Sequence, residues 1–316
     1  MDWDQDGKQD ILSGCYWTDG EKGAHLQILK GLDKMKFAAS VSLQNIAGKP
    51  LQNVPMEDDS NTDLGVICTH QHAADYDGDG DLDLIVGCFG KTFFLYENLA
   101  EDHDGKNVIA ESPVTLPIES TSNHAAPHLV DWDNDGDLDL LSGTVAGGVI
   151  LSQNTGTRQE PQWAEFKQLV PPSSLREQAD GDDVGMGAST RVWATDWNGD
   201  GWLDLLVGDN TAILSPAEGI AEAEWKRRRS ANDEAMQAVS EEMDEFLPEY
   251  EAAMEKGEEL SAATQKKVDA LQQKMQKIWA ERSEFQTSAS TGHVWLLIRK
   301  PSAPAAETLA NDTSSS

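Results

Sequence analysis

The residues of this chain whose types and spacing can do chemistry are aspartates. The pattern D-x-[DN]-x-D-G-x-x-D, followed by two or three apolar residues and a glycine, occurs four times. The copies read DWDQDGKQDILSG from Asp2, DYDGDGDLDLIVG from Asp75, DWDNDGDLDLLSG from Asp131 and DWNGDGWLDLLVG from Asp196. Positions one, three and five set oxygen-bearing side chains inside a tight loop, and glycine at six permits the sharp turn. Position seven offers a carbonyl and the aspartate at nine closes the shell. Hard oxygen donors at that density select calcium first and magnesium second. Without a cation the converging carboxylates repel one another, so the folded loops are expected to need metal.

An EF-hand opens with the same D-x-D-x-D-G but requires glutamate at position twelve and a helix on either side. Here the twelfth residues are Ser13, Val86, Ser142 and Val207, and the flanks are strand-like. Short apolar or β-branched runs precede the loops (Val66 to Thr69, His128 to Val130, Arg191 to Thr195), and four or so strand residues such as Leu138 to Leu141 follow them. Second strands follow glycine-rich turns at His25 to Leu29, Thr92 to Tyr96, Val149 to Leu151 and Val294 to Ile298, with looser third strands at Phe37 to Leu43 and Trp163 to Leu169. The four motifs start 73, 56 and 65 residues apart, which suits units of three or four strands. Short strands between Gly, Asn and Pro turns predict an antiparallel all-β repeat array.

Residues 217–286 break the pattern. Apolar positions at Met236, Val239, Met243, Phe246, Tyr250 and Met254, then at Val268, Leu271, Met275, Ile278 and Phe285 with Arg282 in register, predict two amphipathic helices with a coiled-coil seam. Ser261 or Thr264 is the expected N-cap of the second helix, and Pro248 is expected to kink the first or begin another. Because Val294 to Ile298 supplies the strand that the fourth repeat lacks after Gly208, the helices are read as an insertion between two strands of one sheet. The resulting domain reading is a β part over 1–216 and 287–300, an inserted helical hairpin over 217–286 and a disordered tail over 301–316.

The quoted motifs resemble the FG-GAP, or VCBS-type, repeats of integrin-like β-propellers. The loop, the L-D-L-L-S-G or L-D-L-I-V-G strand after it, the strand from Gly148 to Leu151 and the N-T-G-T…P-x-W stretch from Asn154 to Trp163 all match. The resemblance implies a calcium-binding propeller of at least four blades, with closure of the ring left open, and about four ions, one per loop at 2–10, 75–83, 131–139 and 196–204. The implied ligands are Asp2, Asp4, Asp6 and Asp10; Asp75, Asp77, Asp79 and Asp83; Asp131, Asp133, Asp135 and Asp139; and Asp196, Asn198, Asp200 and Asp204. Carbonyls of Lys8, Asp81, Asp137 and Trp202 complete the shells. The family implies a secreted, periplasmic or cell-surface module that recognises proteins or glycans without catalysis. The alternative is a hydrolase- or lyase-type enzyme, or a subunit of one, with a site near the propeller axis.

Composition narrows the partners. With 56 acidic against 24 basic side chains the formal charge is −32, which repels phosphate backbones and anionic lipid heads and makes nucleic acid and membrane surfaces unsuitable partners. The 217–286 segment holds 17 acidic and 10 basic side chains, so the β part carries −25 of the −32. The longest apolar run, Val294 to Ile298, has five residues, against the roughly 20 that span a bilayer. Cys15, Cys68 and Cys88 match no zinc or disulfide pattern and read as buried thiols. No basic segment followed by an apolar stretch opens the chain, and Met1 leads straight into the first motif, which reads as a fragment or a displaced start. His70, His72, His124 and His128 precede loops two and three, but Trp193 stands where His72 and His128 lead one to expect a third histidine, so no ring of ligands forms. No G-x-S-x-G, H-E-x-x-H or phosphate-binding loop is present. The basic cluster Lys226 to Arg229 is expected to form internal or intersubunit salt bridges; the two apolar seams of the hairpin are expected to pack on each other, which needs no partner, and the alternative is an arm for oligomerisation or partner docking.

Overall fold

The structure, a computed structural model, describes residues 1–14, 25–33, 36–51, 68–99, 107–172, 177–178, 185–245, 247–248 and 260–300. It is mostly β, with four sheets of the kind that form propeller blades and two long helices late in the chain. Sheet one runs β1 (Ile11–Ser13), β2 (Gln27–Leu29), β3 (Val41–Ser42). Sheet two runs β4 (His70–Ala74), β5 (Asp83–Gly87), β6 (Thr92–Tyr96), β7 (Val114–Glu119), and sheet three runs β8 (Ala126–Val130), β9 (Asp139–Gly143), β10 (Val149–Ser152), β11 (Lys167–Val170). All pairs in these three sheets are antiparallel. Sheet four is built on β14 (Asp204–Pro216), which pairs with β13 (Ala188–Thr195), β15 (Gln286–Thr291), β16 (Val294–Leu297) and, in parallel, with β12 (Glu177–Gln178).

Three of the four Asp loops join the two strands of a hairpin, β4 to β5, β8 to β9 and β13 to β14, and the first leads into β1. Period-two alternation then decides which neighbour each side chain meets. In β5, Leu84 and Val86 pack with Trp3, Leu26 and Ile28 of sheet one, while Ile85 packs with Leu129 and Leu140 of sheet three. In β9, Leu140 faces sheet two and Leu141 joins Val192, Leu205 and Val207 of sheet four. Strands covered on both faces place apolar side chains at successive positions, which is why L-I-V and L-L follow the ninth aspartate of these motifs.

The glycine at position thirteen of each motif marks the crossing of one sheet by the next. A Cβ on Gly14 would lie 2.1 Å from the Thr69 carbonyl oxygen, one on Gly87 2.0 Å from that of Ala125, and one on Gly143 2.1 Å from that of Thr190. At Gly208 the same position meets nothing within 4 Å. Other places agree. Trp132, at position two of its motif, is 6% exposed, whereas Trp197 at the same position is 59% exposed. Val149, opposite Gly143, is fully buried, whereas Val294, opposite Gly208, is 75% exposed. Sheets one to three are each covered by the sheet that follows, and the fourth has that face bare among the described residues.

The helices rise from a ribbon. The first part of β14 lies between β13 and β16, and beyond Asp209, which faces a bulge in β13 between Ala188 and Arg191, its second part pairs with β15 from Thr211–Thr291 to Pro216–Gln286. Asp209 pins the bulge by accepting from the backbone of Gly187 and His293 and from Trp295 Nε1. From the ribbon's end, α1 (Glu222–Asp244) and α2 (Ala262–Phe285) form the hairpin. The seam is a heptad ladder: Trp225, Asn232 and Val239 are buried in α1, and Thr264, Leu271 and Phe285 in α2. α1 begins at Glu222, about four turns before Met236, because Trp225 anchors it on Phe285 and Leu214. Met243 is exposed, and Phe246, Tyr250 and Met254 lie outside the described residues. Ser261 caps α2 by accepting from the Thr264 N–H. Lys226 pairs with Glu222, Arg228 with Glu284 and Arg229 with Asp233, so three of the four residues in the basic cluster are spent within the hairpin. No described helix is long and apolar enough to cross a membrane. Cys88 is buried and Cys68 half-buried, both as free thiols; Cys15 and the tail 301–316 lie outside the described residues.

Candidate functional site

The four Asp loops share one backbone design. Position-six glycines Gly7, Gly80, Gly136 and Gly201 take φ between 84° and 97°. An added Cβ would meet open space at all four, so the left-handed conformation and not crowding selects glycine there. The aspartate at five accepts from the N–H of position seven in every loop: Lys8 to Asp6 at 2.9 Å, Asp81 to Asp79 at 2.9 Å, Asp137 to Asp135 at 3.1 Å and Trp202 to Asp200 at 2.9 Å. This Asx turn leaves the carbonyl of position seven available for a cation. The aspartate at one accepts from N–H groups across the turn, as Asp131 does from Asp135 and Gly136 and Asp196 from Gly199, Asp200 and Gly201.

The ninth position has a structural task as well. Asp10, Asp83, Asp139 and Asp204 are all buried. One oxygen of each accepts from position two of its own loop: Trp3, Tyr76, Trp132 and Trp197. The other accepts from Gly31, Asn98, Asn154 or Arg299 at the far end of the neighbouring hairpin. Burial pushes Asp83 up to about 7 and Asp139 up to about 6, against the pull of those N–H donors. Asp139→Ala strands two buried N–H groups, each charge-assisted bond contributing about 1.5–3 kcal/mol; a fall of about 2–4 kcal/mol in urea-unfolding stability is expected, net of the relieved burial of charge. A change under about 0.5 kcal/mol rules out the keystone role.

Carboxylate oxygens converge in three loops. Asp2, Asp4 and Asp10, then Asp75, Asp77 and Asp79, then Asp131, Asp133 and Asp135 each bring ligand atoms within 4.8 Å of one another. Asp6, Asp83 and Asp139 fall outside these triads, and the fourth loop, with Asn198 at position three, gathers no acidic triad among the described residues. The donor set fits a hard cation: Asp4 Oδ1 and Asp137 Oδ1 are buried with no hydrogen-bond partner. Burial and the neighbouring Asp135, Asp133 and Asp131 raise the pKa of Asp137, a mark of crowded negative charge.

The loops differ in what already opposes that charge. Lys30 reaches Asp4 in loop one at 2.5 Å, and its ammonium, against the cost of burial, holds the Asp4 carboxyl below its ordinary value. Arg158 reaches Asp75 in loop two at 3.2 Å. Among the described residues no cation pairs with a carboxylate of loop three, where an amide, Gln153, reaches Asp133 at 2.9 Å. A donor from the following sheet also ties each of these loops down: Asn107 on the Trp3 carbonyl, Arg158 on that of Asp75 and Arg299 on that of Trp132. Arg299 further stacks on Trp132 and Trp202 at 4.4 and 4.8 Å. Sequence reading missed these residues. For Asn98 and Asn154 the signal was there, since each stands fifteen residues after its position-nine aspartate.

The histidines are held by the next sheet. His72 contacts the Leu129 carbonyl at 3.1 Å and His128 accepts from the Ala194 N–H at 3.1 Å. Their rings lie 4.1 Å apart, with Trp193 4.8 Å from His128. Burial lowers His70 to about 3 and His72 to about 4, and holds His128 well below its ordinary value, so all three are neutral near pH 7.

Sheets that each carry a carboxylate loop, the first three stacked against the next through a glycine crossing, define a repeat protein of acidic-loop sheets. Residues 75–142, from the second loop to the strand after the third, match the family described as FG-GAP-like repeat. No curated protein matches the chain.

Proposed function

We propose that the four sheets are consecutive blades of a β-propeller, that calcium is the structural ion of its loops, and that the protein is a non-catalytic scaffold for recognising a protein or glycan. It would work outside the cytoplasm, at the cell surface or in the periplasm, where calcium is plentiful enough to fill loops of this type. The observation that carries the reading is the convergence of three aspartate triads, each in a loop that leads into a strand of a blade-like sheet and is tied to the sheet after it. The all-oxygen donor set and flexible loop geometry favour calcium over magnesium. Equilibrium dialysis against calcium is the test. Three to four ions per chain are expected, with Asp131→Asn plus Asp133→Asn lowering the count by one. Failure to bind any calcium at about 1 mM, a typical extracellular-module affinity, refutes the reading.

A further inference from the structure

Apart from the loops, the structure has a second place where chemistry concentrates. All four sheets contribute to a cavity of about 510 Å³: Ser13 of β1, His70 and His72 of β4, His128 of β8, and Arg191 and Trp193 of β13 are among its walls. The cavity shares no residue with the Asp loops.

Arg191 is the anomaly. Its guanidinium is half-buried in a chain with 32 more acids than bases, yet no carboxylate pairs with it among the described residues. Nη1 donates to the Ser189 and Thr190 carbonyls at 3.3 and 2.7 Å, and Nη2 to His70 Nε2. A guanidinium has five N–H groups; those three bonds leave two without a described acceptor. Desolvating a cation without a counter-charge costs several kcal/mol, and the surrounding imidazoles supply none. Burial, first of all, and the nearby Arg191 keep His70 uncharged, so it serves as an acceptor that orients the guanidinium.

We propose that this cavity binds a small carboxylate carried on a ring, with the free N–H groups of Arg191 taking the carboxylate and the exposed Trp193 ring taking the ring face. The pairing follows from the geometry of a guanidinium fork, which matches a carboxylate in plane. Charge argues for a monoanion: one cation stands among neutral imidazoles, and a dianion would leave a net negative charge buried in an already acidic protein. Trp193 is 51% exposed and offers an apolar face of the kind that stacks on a flat or half-apolar ring. A sugar acid and an aromatic acid share this chemistry.

Titration calorimetry on the calcium-loaded full chain distinguishes them. The probes are D-glucuronate against glucose and benzoate against benzyl alcohol, at constant ionic strength. At least one acid is expected to bind about tenfold or more tightly than its uncharged counterpart, the worth of one charge-assisted contact. A preference confined to glucuronate assigns a sugar acid, one confined to benzoate an aromatic acid. Arg191→Gln is expected to abolish the preference, Arg191→Lys to retain part of it, and Trp193→Ala to weaken the acid that binds. Because Arg191 also holds two carbonyls, a glutamine variant that fails to fold leaves the decision to the comparison of acid with counterpart on the unaltered chain. Absence of preference for either acid at about 10 mM, or acid binding undiminished in a folded Arg191→Gln chain, overturns the proposal.

Discussion

Removing calcium is expected to lower the melting temperature of this chain by about 10 °C or more. An ion that binds only the folded state at a hundred times its dissociation constant stabilises by about 2.7 kcal/mol, and a change of 1 kcal/mol moves the midpoint of a chain this size by about 2–4 °C. Two filled loops therefore suffice. The loops are not equivalent. Lys30 and Arg158 already set a positive charge on Asp4 and Asp75, whereas among the described residues no cation pairs with a carboxylate of loop three, where Asp133 has the Gln153 amide. Two carboxylates about 4 Å apart repel by about 1–4 kcal/mol between water and a protein surface, so loop three should lose most on chelation. Scanning calorimetry with calcium and with EGTA checks both points: Asp133→Asn should shrink the difference more than Asp4→Asn, and a midpoint that chelator leaves in place sinks the structural role of the ion.

Replacing Gly143 with valine is expected to cost about 3–5 kcal/mol, and the same change at Gly208 to stay within about 0.5 kcal/mol. The two glycines occupy the same motif position on β9 and β14. At Gly143 the new Cβ would stand 2.1 Å from a backbone oxygen of the next sheet, so relief requires sheets three and four to part and open the core that Leu141 shares with Val192 and Val207. At Gly208 nothing lies within 4 Å, and a strand accommodates valine well. Urea unfolding of both variants, compared with Gly87→Val as a second crossing, provides the reading. Equal losses at Gly143 and Gly208 would show that the fourth sheet is covered in solution as the others are.

The loops and the strand that follows each were legible because every position is dictated locally: left-handed φ at six, an Asx turn from five to seven, apolar alternation after nine. The helical seam was legible for the same reason, from Val268 to Phe285. What could not be read is what depends on a neighbouring sheet. The position-thirteen glycine was plain in the motif, but its cause is a carbonyl about fifty residues away. His72 and His128 stand out in the sequence as histidines just ahead of loops two and three, while their bonds to the backbone of the next sheet have no signature in the residues themselves. β7 went unread because Val114 to Glu119 carries a proline and alternates weakly. The outer half of β14 went unread too, since Asp209-Asn210-Thr211 has the composition of a turn and continues as a strand only because β15 returns to pair with it. Trp225 was missed as the anchor of α1 because its partner, Phe285, is the last residue of the other helix.

That long strand also sets how the two parts of the molecule exchange mechanical load. Thirteen residues of β14 run without a break from the Asp204 loop to the base of the hairpin, and its inner half is hydrogen-bonded on both sides, to β13 and to β16. A pull on the helices therefore enters the middle of the fourth sheet along the strand axis. The ladder rungs there are strained together in shear and not peeled one at a time, so the hairpin is a firmly rooted lever whose foot is the rim of an aspartate loop.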